Sequence, residues 1–449
     1  MEENKLNNLV LEDGSNIAVI GGGPAGSFFT YFALDFADRY GTDINIDIIE
    51  AKNFNCFGPQ GCNNCGGIIS ESLVQTLSTE GIVIPSNVIR RGIETYTLHF
   101  EQGDSVIETP FHEQRIASVY RGLGPKGMSD SSVQSFDNFL IELCKDKGAK
   151  VIEGRVIEAE RKDDGIILRT NQNFEKKYDL VVGAVGLNEK AFEIFESICP
   201  SFVPPKQTKT YICEFGMDNK TIDEYFGHSM HVFLLNLPNI KFGALIPKSN
   251  YVTLVLLGSE INKEIVSLFI ESDAVKGCFP KGFDLKNITT CNCFPSINVK
   301  AAKTAYGDRM ILIGDSSSSK LYKNGIGAAY ITAKAAAKAA VFNGISKKDF
   351  NKLYQPVCNE LNTDNAIGKF IFLVTTVIQK SGLLKRGVLN MVISEQKKAN
   401  EKRRMSSVLW DTFTGSATYK SIFIRVVNPI VLAGLIWNII YGIFKTKSK

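Results

Sequence analysis

Charge of one sign is scarce in this sequence: 51 Lys and Arg stand against 47 Asp and Glu, a net charge of +4 over 449 residues. So slight an excess, with no Lys/Arg run interleaved with aromatics, gives no basis for a nucleic-acid partner. The opening residues, Met1 to Lys5, lack a cationic start followed by an apolar core, so no secretory signal is expected. Without one, the ten cysteines are expected as thiols or ligands in a reducing, cytosolic compartment rather than as a disulfide framework. Neither an internal repeat nor a low-complexity tract interrupts the chain. What is present is 44% hydrophobic residues, enough for a large core, expected as two lobes plus an appendage.

A short apolar strand from Asn16 runs into Gly21-x-Gly23-Pro24-Ala25-Gly26 and then into a helix-forming segment, Ser27 to Phe36. Gly21 permits a tight turn, Gly23 lets backbone approach a pyrophosphate, and Gly26 lets helix and strand pack closely. A pyrophosphate there would sit on the free N–H groups and positive end of the helix. A second apolar strand, Ile44 to Ile49, ends in Glu50, an acid able to accept both hydroxyl protons of an adenosine ribose. Strand, glycine triplet, helix, strand and terminal acid in this order predict a dinucleotide-binding unit.

The other end of the chain selects the dinucleotide. Arg309 to Ile313 is a buried-type strand closing on Gly314-Asp315, and Gly325-Ile326-Gly327 then opens an alanine-rich helix, Ala328 to Val341. This resembles the second flavin motif of the p-hydroxybenzoate hydroxylase superfamily. The resemblance implies FAD, with Asp315 on the ribityl chain and the helix start at Gly325, Ile326 and Gly327 facing the isoalloxazine. A positive helix end there favours an anionic reduced flavin.

Between these motifs, Glu94 to Phe100 and Ser105 to Thr109 alternate like a hairpin, Ile116 to Arg121 reads as a strand, and Phe136 to Lys145 as a helix. Val151 and Val156 mark a return to the sheet, and Tyr178 to Gly183 a buried strand ending in glycines. Alternating runs from Tyr211, Val232 and Tyr251 predict an antiparallel substrate sheet. The expected fold is α/β. A discontinuous Rossmann-type FAD-binding domain (12–90, 116–200, 296–345) alternates with a substrate domain (91–115, 201–295), and a helical region (346–449) follows.

The motif order over roughly residues 12 to 345 resembles the geranylgeranyl reductase branch of that superfamily, whose members carry a Cys-Gly loop over the flavin like Cys62-Asn-Asn-Cys65-Gly66-Gly67 here. The resemblance implies reduction of carbon–carbon double bonds in an isoprenoid or other lipophilic substrate, with NAD(P)H or reduced ferredoxin as electron donor. It places Gly66, Gly67, Val156 and Gly186 at the cofactor. Two departures stand out. Val185-Gly186 replaces the usual Asp-Gly of the middle motif, which argues against hydroxylase-type NAD(P)H docking. Gln134-Ser135 replaces the arginine before Phe136-Asp137, a role assigned instead to Arg121.

A thiol on a glycine-flanked loop can reach a flavin face, so Cys65 is the expected proton donor to an alkene, with Tyr322, beside Lys323, polarising substrate or flavin. Cys56, Cys62, Cys65, Cys291 and Cys293 could instead hold zinc or an iron–sulfur cluster, or form a redox pair such as Cys65 with Cys293. Their spacings match no standard pattern, and no metal ligands are assigned. His228 and His231, three apart in strand-like sequence, point to opposite faces. Alternative readings are an FAD monooxygenase on a lipophilic substrate and a membrane redox flavoprotein holding a cluster.

Past residue 345 apolar runs dominate, with a basic stretch from Lys397 to Arg404, and residues 426–444 carry no charge. A helix there nears the hydrocarbon thickness, with Trp437 and Tyr441 as interface anchors. Asn428, Pro429 and Asn438 favour a surface-lying or re-entrant segment. The expectation is an enzyme on the cytoplasmic side of a membrane, held through its C-terminal region, with oligomeric state open.

Overall fold

The apolar run ahead of the glycine loop forms the strand Ser15–Ile20, buried along its last four residues. The computed structural model describes residues 9–109, 113–128, 132–285, 289–397 and 403–446. In it this strand lies inside a six-stranded sheet, ordered Tyr306–Gly307, Met310–Leu312, Leu180–Gly183, Ser15–Ile20, Ile44–Glu50, Lys150–Glu153. Every pairing is parallel except at the Tyr306–Gly307 edge. Parallel strands covered on both faces need continuous apolar sequence, which the inner strands supply in runs of three to seven residues, while the edge strand Lys150–Glu153 is largely exposed.

One face carries the helices Pro24–Tyr40, Phe136–Asp146 and Gly325–Phe342. The last of these presents Ala333, Ala336, Ala337 and Ala340 to the core, and side chains this small let it lie close against the phenylalanines of the first helix. The other face is covered by the helix Glu189–Ile198 and a three-stranded antiparallel sheet, Val156–Lys162, Gly165–Thr170 and Glu175–Tyr178. Two expectations are corrected here. Val156 starts a strand of this small sheet and packs beneath Ile20 and Ile49, whereas Val151 does return to the parallel sheet. The run Tyr178 to Gly183 is two strands in two sheets, broken at Asp179. The Asp179 N–H donates to the Asn16 carbonyl and its carboxylate accepts from the Asn16 N–H, so it turns the chain into the parallel sheet.

The substrate-side sheet has seven strands, ordered Thr289–Cys293, Tyr211–Gly216, Tyr251–Gly258, Ile240–Pro247, Ser229–Phe233, Thr95–Phe100, Gly103–Glu108. It is antiparallel except where Ser229–Phe233 meets Thr95–Phe100, because that hairpin comes from earlier in the chain and docks on the edge of the later strands. Alternation separates two cores: Leu98, Phe100, Val232 and Phe242 face one way, Cys213, Phe233, Leu254 and Phe269 the other.

The C-terminal helices Gln355–Lys380, Gly382–Gln396, Arg404–Thr414 and Tyr419–Val426 close over the first of these cores through Phe372, Val392, Trp410 and Tyr419. The uncharged run 426–444 is not one helix. Pro429 opens a new helix, Pro429–Thr446, with the Asn428 side chain accepting from the Ile430 N–H. No single helix among the described residues is long and apolar enough to cross a membrane. Two bent pairs pass by length and composition, Gln355–Lys380 with Gly382–Gln396 at 105° and Tyr419–Val426 with Pro429–Ile440 at 62°. Residues 398–402 of the basic stretch, Lys447, Lys449 and the Tyr441 side chain lie outside what is described.

A Cβ built on Gly26 would stand 1.9 Å from the Gly21 carbonyl oxygen, backbone against backbone. Gly26→Ala is therefore expected to cost more than about 3 kcal/mol in urea unfolding, beyond ordinary overpacking. Gly41→Ala, left-handed at φ 77° with no atom near its Cβ, should cost only about 1–2 kcal/mol.

Candidate functional site

The first helix starts at the carboxyl end of the parallel sheet with no side-chain cap: Gly23 is extended and Pro24 occupies the first turn. Helix N-termini left in this state present N–H groups and a positive dipole end to an anion. Around it the backbone is crowded on one side only. Gly21 (φ 104°) lies against the Ala184 carbonyl, which a Cβ would meet at 2.5 Å, and Gly314 (φ 64°) against Ala25, met at 2.8 Å. The open side at Gly23 is faced by the Arg121 guanidinium, 3.1 Å from where a Cβ would sit. Glu50 reaches back so that its carboxylate accepts from the Gly22 N–H at 2.7 Å and the Lys52 N–H at 2.8 Å. Burial pushes its carboxyl above the usual range, with those two N–H groups pulling the other way.

Arg121 holds the centre of this end. Its guanidinium donates to both oxygens of Asp137, at 3.0, 3.2 and 2.9 Å, and Asp137 has no exposed surface. Ser135 caps the Asp137 helix, accepting from Asn138, and its hydroxyl donates to the Arg121 carbonyl at 2.9 Å. Asn63, from the cysteine loop, donates to the same carboxylate. Arg121, two residues beyond the strand Ile116–Val119, thus meets the helix start at Phe136-Asp137, where Gln134-Ser135 precede it. Asp315, just past the Met310–Leu312 strand, is half-buried beside the start of the Gly325 helix, its Oδ1 4.0 Å from a Cβ built on Gly325. Burial pushes its carboxyl up, against Ser319 and Arg121. The Gly325 helix is capped by Asn324 in the left-handed region (φ 50°), whose side chain accepts from the Gly327 N–H at 2.9 Å. Gly325 itself is exposed. Gly186 (φ 59°) turns the middle motif with nothing near its Cβ position.

The loop Cys62 to Gly67 lies across this end. Gly67 (φ 71°) is in contact with the Val119 carbonyl and Gly66 with Val255, so the loop is pinned between the strand Ile116–Val119, the middle of a small three-stranded sheet with Ile68–Ile69 and Ile89–Ile93, and the seven-stranded sheet. The Cys65 thiol accepts from the Gly67 N–H at 3.4 Å and Cys62 from the Asn64 N–H at 3.2 Å. Cys62 and Cys65 line a cleft with Tyr120, Arg121, Glu214 and Cys291. Under it Lys248, with no exposed side chain, sits 3.6 Å from Glu214 and 4.1 Å over the Tyr120 ring. Thr253 donates to the second Glu214 oxygen at 2.7 Å. Burial lowers the Lys248 ammonium, opposed by Glu214, Cys65 and Cys62, and raises the Glu214 carboxyl.

Of the expected site residues, the structure gathers Gly21, Gly23, Pro24, Ala25, Gly26, Glu50, Cys65, Gly66, Gly67, Arg121, Gly186, Gly314, Asp315, Gly325, Ile326 and Gly327 at one end of the parallel sheet. Val156 lies in the core beneath it. Tyr322 is not in the cleft lining; its ring packs edge-on against Phe372 at 5.0 Å. Lys323 likewise turns to the C-terminal helices, donating to the Asp411 and Ala417 carbonyls and lying 4.1 Å over Tyr419. All ten cysteines are thiols, and among the described residues no three of Cys56, Cys62, Cys65, Cys291 and Cys293 come within shared metal-ligand reach. His228 is exposed and bonded to the Gly92 carbonyl, while His231 points into the core.

Sequence reasoning missed Lys248, Glu214, Asn63 and Asn324. Glu214 had a visible signal, a lone acid inside the apolar strand Tyr211–Gly216. Lys248 had none, because Lys248-Ser249-Asn250 reads as the polar turn of a hairpin.

No protein-family model matches the chain, and no curated protein matches it by sequence. Its fold is shared with solved structures of a reductase-like protein, a halogenase in complex with FAD and a probable FAD-dependent monooxygenase. A geranylgeranyl bacteriochlorophyll reductase-like protein from Thermoplasma acidophilum superposes with a TM-score of 0.64 at 16% identity, covering 93% of this chain and 99% of that one. A flavoprotein/dehydrogenase from Cytophaga hutchinsonii gives 0.61 at 13% identity, over 96% and 100%. The halogenase PltM, solved with phloroglucinol and FAD, gives 0.59 at 12% identity, over 92% and 90%.

Removing one partner of a buried ion pair strands the other charge, so Asp137→Ala is expected to lower unfolding free energy by about 3–5 kcal/mol. Urea denaturation of wild type and variant checks it; a loss below about 1 kcal/mol would mean Arg121 finds solvent instead.

Proposed function

We propose that this protein is an FAD-dependent oxidoreductase that saturates carbon–carbon double bonds of an isoprenoid or other prenyl lipid. The observation carrying the reading is the thiol-lined cleft, which shares Arg121 with the dinucleotide end of the sheet. The residues present fit FAD: an uncapped helix start for the pyrophosphate, Glu50 for the adenosine ribose, half-buried Asp315 beside exposed Gly325 for the ribityl and ring portion. When bound, FAD would supply hydride to one carbon of the alkene.

Cys65 would give the proton to the other carbon. A thiolate left behind lies in the field of Arg121 and Lys248, both of which it attracts. Buried cations with few competing solvent dipoles stabilise such an anion far better than they would in water. Glu214 balances the lysine so that the floor of the cleft stays near neutral before the proton moves. The electron donor in this reading is NAD(P)H or reduced ferredoxin, and Val185 in place of an aspartate disfavours hydroxylase-type nicotinamide docking.

The second reading is an FAD monooxygenase, the reaction class of one structural neighbour, a probable FAD-dependent monooxygenase from Pseudomonas aeruginosa. Lipid mass spectrometry of cells with and without the gene separates the two. A product heavier by two hydrogens per bond supports reduction, and one heavier by an oxygen atom supports the alternative. In purified protein, Gly23→Val is expected to abolish the yellow colour by placing side chain where the pyrophosphate lies. Cys65→Ser should keep FAD yet slow anaerobic single-turnover reduction of a prenyl substrate by ~10² to 10⁴, the usual worth of general acid catalysis.

A lipid substrate accords with the C-terminal surface. Phe370, Leu373, Val374 and Val377 are exposed along one face of Gln355–Lys380, and Ile424, Ile430, Ile436, Trp437 and Ile440 on the last two helices. We take this apolar surface as the seat on the cytoplasmic face of a bilayer. Purified protein should co-sediment with anionic vesicles, and Leu373→Asp with Trp437→Asp should reduce that several-fold without loss of FAD. Equal sedimentation of the double variant would remove this surface from the account.

A further inference from the structure

The face of the seven-stranded sheet turned away from the cleft is packed with phenylalanines, and three polar side chains converge inside it. His99 and His231 come from neighbouring strands and Cys278 from the turn after the short helix Asp273–Lys276. All three are less than a tenth exposed, among Phe226, Phe233, Phe269 and Phe279. The His99 Nε2 lies 3.0 Å from the His231 Nδ1, which lies 3.4 Å from the Cys278 Sγ, and the sulfur is 3.7 Å from the His99 Nε2.

These three edges describe the base of a coordination tetrahedron. With metal–nitrogen bonds of about 2.0–2.1 Å and metal–sulfur bonds of about 2.3 Å, tetrahedral zinc holds two nitrogens about 3.3 Å apart and each about 3.6 Å from sulfur. The remaining nitrogen of His99, Nδ1, faces the exposed carboxylate of Asp104 at 3.9 Å, beyond hydrogen-bond distance, and so is turned toward the edge of the sheet and away from the other two side chains. We propose that His99, His231 and Cys278 bind one zinc-class divalent cation, with three protein ligands and an open fourth position.

Two imidazoles and a thiolate select a borderline-soft ion over magnesium or calcium, which take oxygen ligands. On binding, the Cys278 thiol gives up its proton to solvent and the imidazoles ligate as neutral bases. The ion would tie the turn at Cys278 to the Thr95–Phe100 and Ser229–Phe233 strands, joining the last covering segment of the sheet to the hairpin at its edge. The site is separate from the cysteine loop at the flavin end and independent of the reaction proposed there.

The test uses full-length FAD-loaded protein. Elemental analysis is expected to find about one zinc per chain, and growth with cobalt(II) should give tetrahedral d–d bands with a sulfur-to-cobalt charge-transfer band. Cys278→Ser should lose the charge-transfer band, and His99→Gln should lower the bound metal, while Cys65→Ser leaves both signals unchanged. Retained FAD absorbance in each variant certifies folding. If one ligand variant does not fold, the wild type against Cys65→Ser still decides. Wild-type protein that takes up neither zinc nor cobalt overturns the proposal. So does a thiolate–cobalt signal that survives Cys278→Ser or vanishes with Cys65→Ser.

Discussion

The dinucleotide end of this protein rests on a contact between two backbones, Gly26 lying on the carbonyl of Gly21. That approach fixes how steeply the first helix leaves the sheet, and the segments that join it later in the chain are set against it. Ala184 closes on Gly21 and Gly314 on Ala25, each within a distance that leaves no room for a β-carbon. Three stretches separated by more than a hundred residues are thereby brought to one sheet end. Without that closeness, Asp315 and the Gly325 helix would have no defined position relative to Gly23.

Charge then organises what the backbone has assembled. Arg121 joins the strand after the cysteine loop to the start of the Phe136–Asp146 helix, and it faces both the open side of Gly23 and the cleft. Lys248 and Glu214 form a second buried pair on the neighbouring sheet. Burying four charges is costly unless each finds a partner, which in this molecule each does. The result is a cleft in which two paired cations stand beside a thiol, each balanced by a carboxylate.

The sequence carried the strand–glycine loop–helix–strand unit almost whole, because glycine spacing and apolar runs are local. That Arg121 stands near the Phe136-Asp137 helix start was legible from its place at a strand end. The buried pair was harder: pairing Lys248 with Glu214 depends on the register of two strands, and register is a long-range property. His99 was invisible for the same reason, since it meets His231 only through a parallel pairing across more than a hundred residues. The break in the 426–444 run was legible in Asn428 and Pro429, because an Asn-Pro pair is a local helix-start signal that needs no long-range contact.

The Asn324 cap has a consequence for where this protein can be divided. Its side-chain amide donates to the Gly415 carbonyl, Lys323 is anchored on the Asp411 and Ala417 carbonyls, and the Tyr419 hydroxyl donates to the Leu321 carbonyl. The turn that begins the Gly325 helix is therefore held from outside, by residues that follow it by about ninety positions. Although the helical region reads as an appendage along the chain, its residues up to Tyr419 belong to the same cooperative unit as the glycine motif. A boundary drawn at residue 345 would cut through that unit, and the helix after Asn428 is tied to it as well, with Val431 buried in the same core and Ile439 against Gly387.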